Sequence, residues 1–293
     1  MIFLKATTKC IIQHIFINRS LLSLVAVAAV DSGACGARAA SGTTVIVTPD
    51  TSMTNQDKNK RVAQAAEILN NSDIVCFDVD STVIREEGID ELARYCGKGT
   101  EVARLTKEAM KGSVTFQDAL KLRLDIIRPT QRQIREFIKS HPSTLSPGIK
   151  DLVNYVRNNG SSVYLISGGF DCLIEPVAIE LGIPLTNVFA NKLLFYFNGE
   201  YAGFDTNQPT SRSGGKGDAI LQIRQIHPES NITMVGDGAT DLEASPPANN
   251  FIGYGGNVVR NEVQTRAQYY VTDFRQLMQP DNCTFKNLNQ NNS

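Results

Sequence analysis

Two aspartates one residue apart, Asp78 and Asp80, follow the apolar run Ile74–Phe77. The β-branched and aromatic side chains of that run predict a short buried strand. Because side chains alternate faces along a strand, both carboxylates project to the same side at its carboxyl end. In α/β sheets, ligands bind at that edge. Such a pair can also simply cap the following turn, so it indicates a site only together with other features.

Two further apolar runs end in small or acidic residues. Residues 163–166 lead into Ser167 and Gly168, and residues 232–235 lead into the segment GDGATD, which contains Asp237 and Asp241. A parallel sheet brings the carboxyl ends of its strands to one edge. We therefore expect these polar groups to lie beside the first pair of aspartates.

A lysine completes the predicted site. Lys216 lies in a glycine-rich segment, residues 214–217, at the start of a predicted helix. Four clustered carboxylates repel one another unless a cation is present, and oxygen ligands of this kind favour a hard ion such as Mg²⁺. The lysine, the serine hydroxyl and the backbone amides suit the oxygens of a phosphoryl group. The combination predicts phosphate chemistry.

The elements that must position these residues alternate between helix and strand. Helical patterns begin at Lys60, and after the first strand residues 88–141 are helical only, which predicts an inserted cap over the loop that follows that strand. Ser146-Pro147 is interpreted as the N-cap and first residue of a helix that Asn159-Gly160 stops. The remaining predicted elements are strand 163–166, helix 171–182, a hairpin over 193–204 turning at 198–199, helix 217–227, strand 232–235, helix 239–244 and strands near 251–252 and 269–271. This order predicts an α/β fold with a doubly wound, mostly parallel sheet, a helical cap and a small β-hairpin.

Composition narrows the functional classes. The chain has 293 residues, of which 42% are hydrophobic and 20% charged, with a net charge of −1. Because phosphate-backbone binding needs clustered cations, nucleic acid is excluded as a partner. The six cysteines show no paired spacing and are interpreted as reduced thiols of an intracellular protein.

Residues 1–57 differ from the rest of the chain. The first thirty residues are basic and free of acids, and the apolar run 21–30 is too short to span a membrane. The pattern is compatible with a mitochondrial transit peptide, a disordered extension or a secretory signal. We expect a cytoplasmic enzyme with no membrane association, or a mitochondrial one if residues 1–50 act as a transit peptide.

The motifs resemble those of the haloacid dehalogenase superfamily of phosphatases. The segment DVDST, residues 78–82, is similar to the first motif of that superfamily, and Ser167, Lys216 and residues 236–241 are similar to the second, third and fourth. The resemblance spans roughly residues 60–278 and is narrower in several stretches, where the chain resembles the members that act on phosphoserine. Those stretches are 76–91, 165–170, 195–204, 213–217 and 236–244.

This resemblance implies a mechanism. Asp78 would attack phosphorus to form an aspartyl-phosphate, and Asp80 would protonate the departing seryl oxygen and then deprotonate the attacking water. Mg²⁺ would be held by Asp78, the backbone carbonyl of Asp80 and Asp237. The phosphoryl oxygens would be bound by Lys216, Ser167 and the amide of Gly168; Asp241 would orient the lysine or a metal-bound water, and Thr240 of the same motif would support the site.

The cap is expected to select the substrate. Arg123 falls on the apolar stripe of its helix, and an inward-facing guanidinium needs a carboxylate, although arginines in such a pattern more often snorkel or form an internal salt bridge. The resemblance implies that Arg123 binds the substrate carboxylate, that Glu87 binds its ammonium and that Met110 and Phe116 enclose the ligand. Free phosphoserine would then fit, whereas a phosphoserine within a peptide would not.

We therefore expect a Mg²⁺-dependent phosphatase that releases L-serine in the last step of serine synthesis, acting as a possible homodimer. The alternatives are an enzyme of this fold with another small phosphomonoester as substrate, or a non-catalytic scaffold; the intact set of charged motif residues argues against the scaffold. The predicted domains are an extension (1–57), an α/β core (58–87 and 142–278), a cap (88–141) and a disordered tail (279–293).

Overall fold

The structure is a computed structural model that describes residues 55–109 and 115–278. Met110 and the predicted tail 279–293 lie outside the described residues, as does almost all of the predicted extension 1–57. The statements below concern the described residues alone.

Ten helices and eight strands are formed by the described residues, together with short helical turns. In chain order they are α1 (Asn55–Asn70), β1 (Ile74–Phe77), α2 (Gly88–Tyr95), α3 (Gly99–Ala109), α4 (Phe116–Ile127), α5 (Gln131–Ser140), α6 (Ile149–Asn158), β2 (Ser162–Phe170), α7 (Asp171–Glu180), β3 (Val188–Asn191), β4 (Leu193–Phe195), β5 (Tyr201–Phe204), α8 (Gly215–Ile226), β6 (Ile232–Gly236), α9 (Ala239–Leu242), β7 (Asn250–Tyr254), α10 (Asn261–Arg266) and β8 (Tyr269–Val271). No helix in these ranges is long and apolar enough to cross a bilayer.

Six strands form one sheet in the order β3-β2-β1-β6-β7-β8, and every neighbouring pair is parallel. Strand β1 lies between β2 and β6, with Phe77 in register with Leu165 and Val235. The three strands that carry or precede the predicted site residues therefore lie side by side, and Ser167 and Gly168 lie within β2 near its carboxyl end. The α/β fold class predicted from the sequence is confirmed.

The two faces of the sheet are covered by separate hydrophobic clusters. Val75 and Phe77 pack into one cluster with helix α6, while Ile74 and Cys76 pack into the other with helix α8. Side chains of β1 thus alternate between two buried layers, so the strand is continuously apolar. Full burial of such a side chain contributes about 1.5–3 kcal/mol, which fixes the register of the strand that carries the aspartates.

Helices α2–α5 form the segment between β1 and α6, and they pack around Leu92, Val102, Ile134 and Phe137. A second cluster joins this segment to the core and to the β4–β5 hairpin. Its fully or mostly buried members are Leu120, Leu124, Phe170, Tyr201 and Phe204. The two connections between cap and core run side by side, since Ile84 and Leu145 form an antiparallel bridge.

Two details differ from the sequence prediction. The helix expected to begin after Ser146 begins at Ile149, because Gly148 adopts a left-handed conformation (φ 80°). Ser146 does not cap that helix, since its hydroxyl donates to the carbonyl of Thr82 at 2.6 Å. Strand β3 was not predicted, because it has only four residues, follows a turn that contains proline and shows no periodic pattern.

The described cysteines, Cys76, Cys96 and Cys172, are free thiols. Burial raises the pKa of the Cys76 thiol and raises that of Cys172 to about 12. Both therefore stay protonated and unreactive at neutral pH.

Candidate active site

A cavity of about 480 Å³ lies between the cap and the carboxyl edge of the sheet. It collects most of the predicted site residues. Those that line it are Asp78, Asp80, Glu87, Arg123, Gly168, Lys216, Asp237, Thr240 and Asp241. The three strand ends and the cap thus contribute to one cavity, as the topology of the sheet requires.

An irregular turn after β1 aims both aspartates of the first motif at this cavity. Ser81 adopts a left-handed conformation (φ 55°), and its amide donates to the carbonyl of Glu86. The amide of Ile84 closes the turn on the carbonyl of Val79. A non-glycine residue at positive φ is costly, so the surrounding hydrogen bonds must hold it in place.

Lys216 lies between two buried carboxylates. Its Nζ is 2.6 Å from Asp78 Oδ1 and 2.6 Å from Asp241 Oδ1. Burial alone would lower the pKa of Lys216, but Asp241 and Asp78 outweigh it and raise the pKa above its usual value. The lysine is therefore a permanent cation at the floor of the cavity.

Asp241 is held by its own helix as well as by the lysine. Its Oδ2 accepts from the amide of Gly238 at 3.0 Å, and the side chain is fully buried. It packs directly against Gly236, where a Cβ would lie 2.3 Å from its Cγ. Any larger residue at the end of β6 would displace this carboxylate. Of the two roles predicted for Asp241, the geometry shows the contact with Lys216.

Three carboxylates in this cavity can hold a metal ion. One oxygen each from Asp78, Asp237 and Asp241 lie within 4.8 Å of one another, and all three residues are buried. Burial and the charge of Asp241 raise the pKa of Asp78 well above its ordinary value, against the pull of Lys216. A bound cation would reverse that shift, so the oxygen donors fit a hard ion.

The Asp80 side chain is not one of these clustered carboxylates. Its Oδ1 accepts from the amide of Gly88 at 2.7 Å and its Oδ2 from the hydroxyl of Ser167 at 3.3 Å. Burial and the carboxylate of Glu87 raise the pKa of Asp80 to about 6. The group can therefore carry a proton close to neutral pH, which suits an acid that must also act as a base.

The second predicted motif lies beneath the cavity. Ser167 is fully buried, and its hydroxyl also accepts from the amide of Gly169 at 2.9 Å. Gly168 lines the cavity and faces Phe116 of the cap, whose ring would be 3.0 Å from a Cβ at this position. The close approach of the aromatic ring requires glycine here.

The cap side of the cavity carries opposite charges. The Arg123 guanidinium has no ion pair among the described residues, and its Nε donates only to the carbonyl of Ala119 at 3.3 Å. Burial lowers its pKa, against Asp90, Glu87 and Asp80. Glu87 accepts from the hydroxyl of Ser81 at 2.9 Å. The cavity therefore presents a half-buried guanidinium without a carboxylate partner.

The sequence analysis missed the loop after β7. Arg260 lines the cavity and forms ion pairs with Asp237 and Glu87. Asn257, in the glycine-rich segment after β7, donates to the carbonyl of Ser81 at 3.0 Å. The sequence showed only a glycine-rich segment directly after a predicted strand. No periodic pattern indicated that the arginine after this segment would reach the cavity.

Comparisons with known proteins agree with this geometry. Residues 73–249 match the haloacid dehalogenase-like hydrolase family. The chain is similar to a phosphoserine phosphatase of Drosophila melanogaster, with 69% identity over 220 residues that cover 75% of this chain and 82% of that protein. It is also similar to a human phosphoserine phosphatase, with 52% identity over 216 residues, or 74% of this chain and 96% of that one.

Solved structures give the same result. A substrate-bound phosphoserine phosphatase superimposes with a TM-score of 0.61 and 26% identity, covering 70% of this chain and 96% of that chain. A phospho-aspartyl intermediate analogue of phosphoserine phosphatase gives a TM-score of 0.60 and 28% identity, covering 71% and 97%.

Proposed function

Because the chain belongs to the haloacid dehalogenase-like hydrolases and, within them, to the phosphoserine phosphatases, we propose that its cavity hydrolyses O-phospho-L-serine through Asp78 and Asp80. The products are L-serine and phosphate, the reaction passes through an aspartyl-phosphate, and it is the last step of L-serine biosynthesis. The observation that carries the assignment of residues is the contact of Asp78 with Lys216, next to an Asp80 whose pKa is about 6.

In the first half of the reaction, an oxygen of Asp78 forms a bond to phosphorus while the bond to the seryl oxygen breaks. The proton that the leaving oxygen needs comes from Asp80, whose raised pKa keeps it partly protonated near neutral pH. In the second half, Asp80 takes a proton from a water that attacks the phosphorus, and the carboxylate of Asp78 is released.

Mg²⁺ would be held by Asp78, Asp237 and the backbone carbonyl of Asp80. When bound, it neutralises the negative charge that otherwise keeps a carboxylate from approaching a phosphate. The clustered carboxylate oxygens support this choice, since a small hard cation takes one or two carboxylates and completes its shell with water and phosphate.

Substrate binding uses both walls of the cavity. Lys216, Ser167 and the amide of Gly168 bind the phosphoryl oxygens, while Asp241 holds the lysine and Thr240 supports the same loop. On the cap side, Arg123 binds the substrate carboxylate and Glu87 binds its ammonium. Phe116 lines the same cavity and encloses the ligand, and the family resemblance gives the same role to Met110, which lies outside the described residues. The half-buried guanidinium of Arg123 has no carboxylate partner among the described residues, which supports this arrangement because such a charge needs one.

Phosphate release from three substrates tests this function. The purified protein is incubated with free L-phosphoserine, a phosphoserine peptide and p-nitrophenyl phosphate, with Mg²⁺ or with EDTA. We expect phosphate release from free L-phosphoserine in the presence of Mg²⁺ and none from it in EDTA. Arg123→Gln and Glu87→Gln are expected to raise KM for phosphoserine by about 10- to 100-fold, since a charged hydrogen bond contributes about 1.5–3 kcal/mol, and to leave p-nitrophenyl phosphate turnover nearly unchanged. Equal turnover of the peptide would contradict the cap assignment.

We also propose that residues 88–141 form the cap and residues 58–87 and 142–278 the core, that the enzyme is a cytoplasmic homodimer, and that residues 1–57 are an extension. Light scattering coupled to gel filtration measures the number of subunits. A fluorescent fusion with and without residues 1–50 tests the compartment; mitochondrial fluorescence lost on truncation would favour a transit peptide.

A further inference from the structure

One arginine contacts both halves of the proposed site. Arg260 Nε donates to Asp237 Oδ2 at 2.6 Å, and its terminal nitrogen donates to Glu87 Oε1 at 3.1 Å. Asp237 is buried with 2% of its side chain exposed, whereas 38% of Arg260 and 43% of Glu87 are exposed. A single guanidinium therefore joins a metal-site carboxylate to the carboxylate proposed to bind the substrate ammonium.

Both oxygens of Asp237 are engaged in this arrangement. Oδ1 accepts from the hydroxyl of Thr82 at 3.0 Å, and Oδ2 accepts from Arg260. The threonine hydroxyl can rotate its proton away and offer a lone pair to a cation. A guanidinium is always charged and has no acceptor, so it offers nothing to a metal ion and its charge opposes a cation that approaches the same carboxylate.

The excess of carboxylates around the cavity favours a cation such as Arg260 at this position. Six carboxylates line the cavity: Asp78, Asp80, Glu87, Asp237, Asp241 and Glu262. The cations that line it are Arg123, Arg212, Lys216 and Arg260. Without a ligand, Asp237 has no described ion-pair partner other than Arg260. An unpaired buried carboxylate is strongly destabilising, so this contact stabilises the ligand-free fold.

We propose that Arg260 is an internal counter-cation of the ligand-free enzyme: it occupies Asp237 until the metal ion binds and Glu87 until the substrate ammonium binds. It acts on the reaction as a positioning residue, because it holds both carboxylates in place and leaves them in exchange for their ligands. The inference rests on the proposed metal site and on the proposed role of Glu87. It predicts that loss of Arg260 lowers the stability of the ligand-free enzyme but strengthens the binding of Mg²⁺. Loss of a permanent structural ion pair would weaken both.

Arg260→Gln tests the exchange, with Arg260→Lys as a charge-conserving variant and Arg212→Gln as the matched control. Arg212 lines the same cavity but pairs with Asp218 rather than with a proposed ligand-binding carboxylate. Melting temperature is measured in EDTA, and Mg²⁺ affinity is measured by titration calorimetry without substrate.

For Arg260→Gln we expect a melting temperature in EDTA that is lower by about 2–4 °C and a Mg²⁺ dissociation constant that is about tenfold lower, since the competing cation is gone. Arg260→Lys should lie between this variant and the wild type, and Arg212→Gln should match the wild type in Mg²⁺ affinity. Unchanged or weaker Mg²⁺ binding in Arg260→Gln would overturn the proposal in favour of a permanent ion pair.

An unchanged melting temperature in EDTA would also overturn it, because Arg260 would then not neutralise the ligand-free site. If the wild type bound no Mg²⁺, the metal assignment itself would be wrong. The melting comparison does not depend on that assignment and would still decide whether the arginine serves as a counter-cation.

Discussion

At the scale of single residues, the site separates two aspartates by their surroundings. Asp78 touches a lysine and belongs to the metal-binding cluster, whereas Asp80 receives a backbone amide and a serine hydroxyl and lies near Glu87. Environments of this kind assign different roles to chemically identical groups. We propose that the nucleophile is Asp78, which contacts Lys216, and that the proton carrier is Asp80, which lies outside the carboxylate cluster and has a pKa of about 6.

The raised pKa of Asp80 predicts a pH dependence of stability. Its folded pKa of about 6 exceeds the ordinary 3.8, so the folded state binds the proton more tightly and the free energy of unfolding falls as pH rises from about 4 to 6. Asp78 and Asp241, whose pKa values are also raised, act in the same direction. Because Asp80 is half-buried, we expect its share to be about 2 kcal/mol.

Urea unfolding of the metal-free protein between pH 4 and 7 measures this share. Relative to Asp80→Asn, the wild type should lose stability as pH rises through the window. Asp151→Asn, an exposed aspartate of α6, is the control. Parallel pH profiles for the wild type and Asp80→Asn would show that Asp80 has an ordinary affinity for protons.

The lysine between two carboxylates gives a second prediction. Lys216→Met leaves Asp78 and Asp241 buried without their cation, which should cost about 3–5 kcal/mol in unfolding free energy and at least about 100-fold in kcat. The double variant Lys216→Met with Asp241→Asn restores the charge balance. It should recover part of the stability but none of the activity.

Urea midpoints in EDTA and initial rates in Mg²⁺ measure the two effects. Lys121→Met, at an exposed lysine paired with Asp125 of the same helix, is the control for loss of a lysine. If the double variant were as unstable as the single one, repulsion between the carboxylates would not be the cause.

At the scale of elements, the site depends on loops that follow parallel strands. The parallel sheet and the placing of Asp78, Ser167 and Asp237 at one edge of it were predictable, because strongly apolar runs ending in polar residues have few other interpretations. The start of α6 was predicted wrongly. Ser146 and Pro147 match the pattern of a helix N-cap, but the hydroxyl of Ser146 donates to the carbonyl of Thr82, near the connection between core and cap. Long-range hydrogen bonds of this kind leave no local signal.

The contributions of Asn257 and Arg260 were not predictable for the same reason. Asn257 contacts Ser81 and Ser146, which lie more than 100 positions away along the chain, and Arg260 contacts Glu87, which lies 173 positions away. The sequence shows only a glycine-rich loop, whose function depends on where the fold places it. Sequence patterns thus gave the motif residues, while the residues that connect the motifs became visible only in the structure.

Asn257 is expected to be essential for the connection between cap and core. Its Nδ2 donates to the carbonyls of Ser81 and Ile84 and to the hydroxyl of Ser146 at 3.0, 3.3 and 2.6 Å. Asn257→Ala should lower the unfolding free energy by about 2 kcal/mol and reduce kcat, because the turn that carries Asp80 loses its support.

Asn257→Asp should be worse than alanine, since a carboxylate would face two carbonyl oxygens. Thermal unfolding and phosphoserine turnover measure both effects, and Asn207→Ala in an exposed turn is the control. An aspartate variant more stable than the alanine variant would contradict the described hydrogen bonds.

At the scale of the whole molecule, negative charge concentrates in a cavity of a chain whose net charge is only −1. A divalent cation should therefore stabilise the fold. At 100 times its dissociation constant, Mg²⁺ is expected to add about 2.7 kcal/mol. Differential scanning fluorimetry in Mg²⁺ and in EDTA measures the shift in melting temperature. Asp237→Asn should lose most of this shift, whereas Asp125→Asn on the exposed face of the cap should keep it.

The most direct test of the central claim is the identity of the phosphorylated residue. Enzyme mixed with ³²P-labelled phosphoserine and Mg²⁺ is quenched in acid within milliseconds, digested and mapped by mass spectrometry. The structure predicts a label on the peptide that contains Asp78, removed by hydroxylamine as expected for an acyl phosphate and absent from Asp78→Asn. A label on Ser167, or full turnover in Asp78→Asn, would contradict the assignment of Asp78 as the nucleophile.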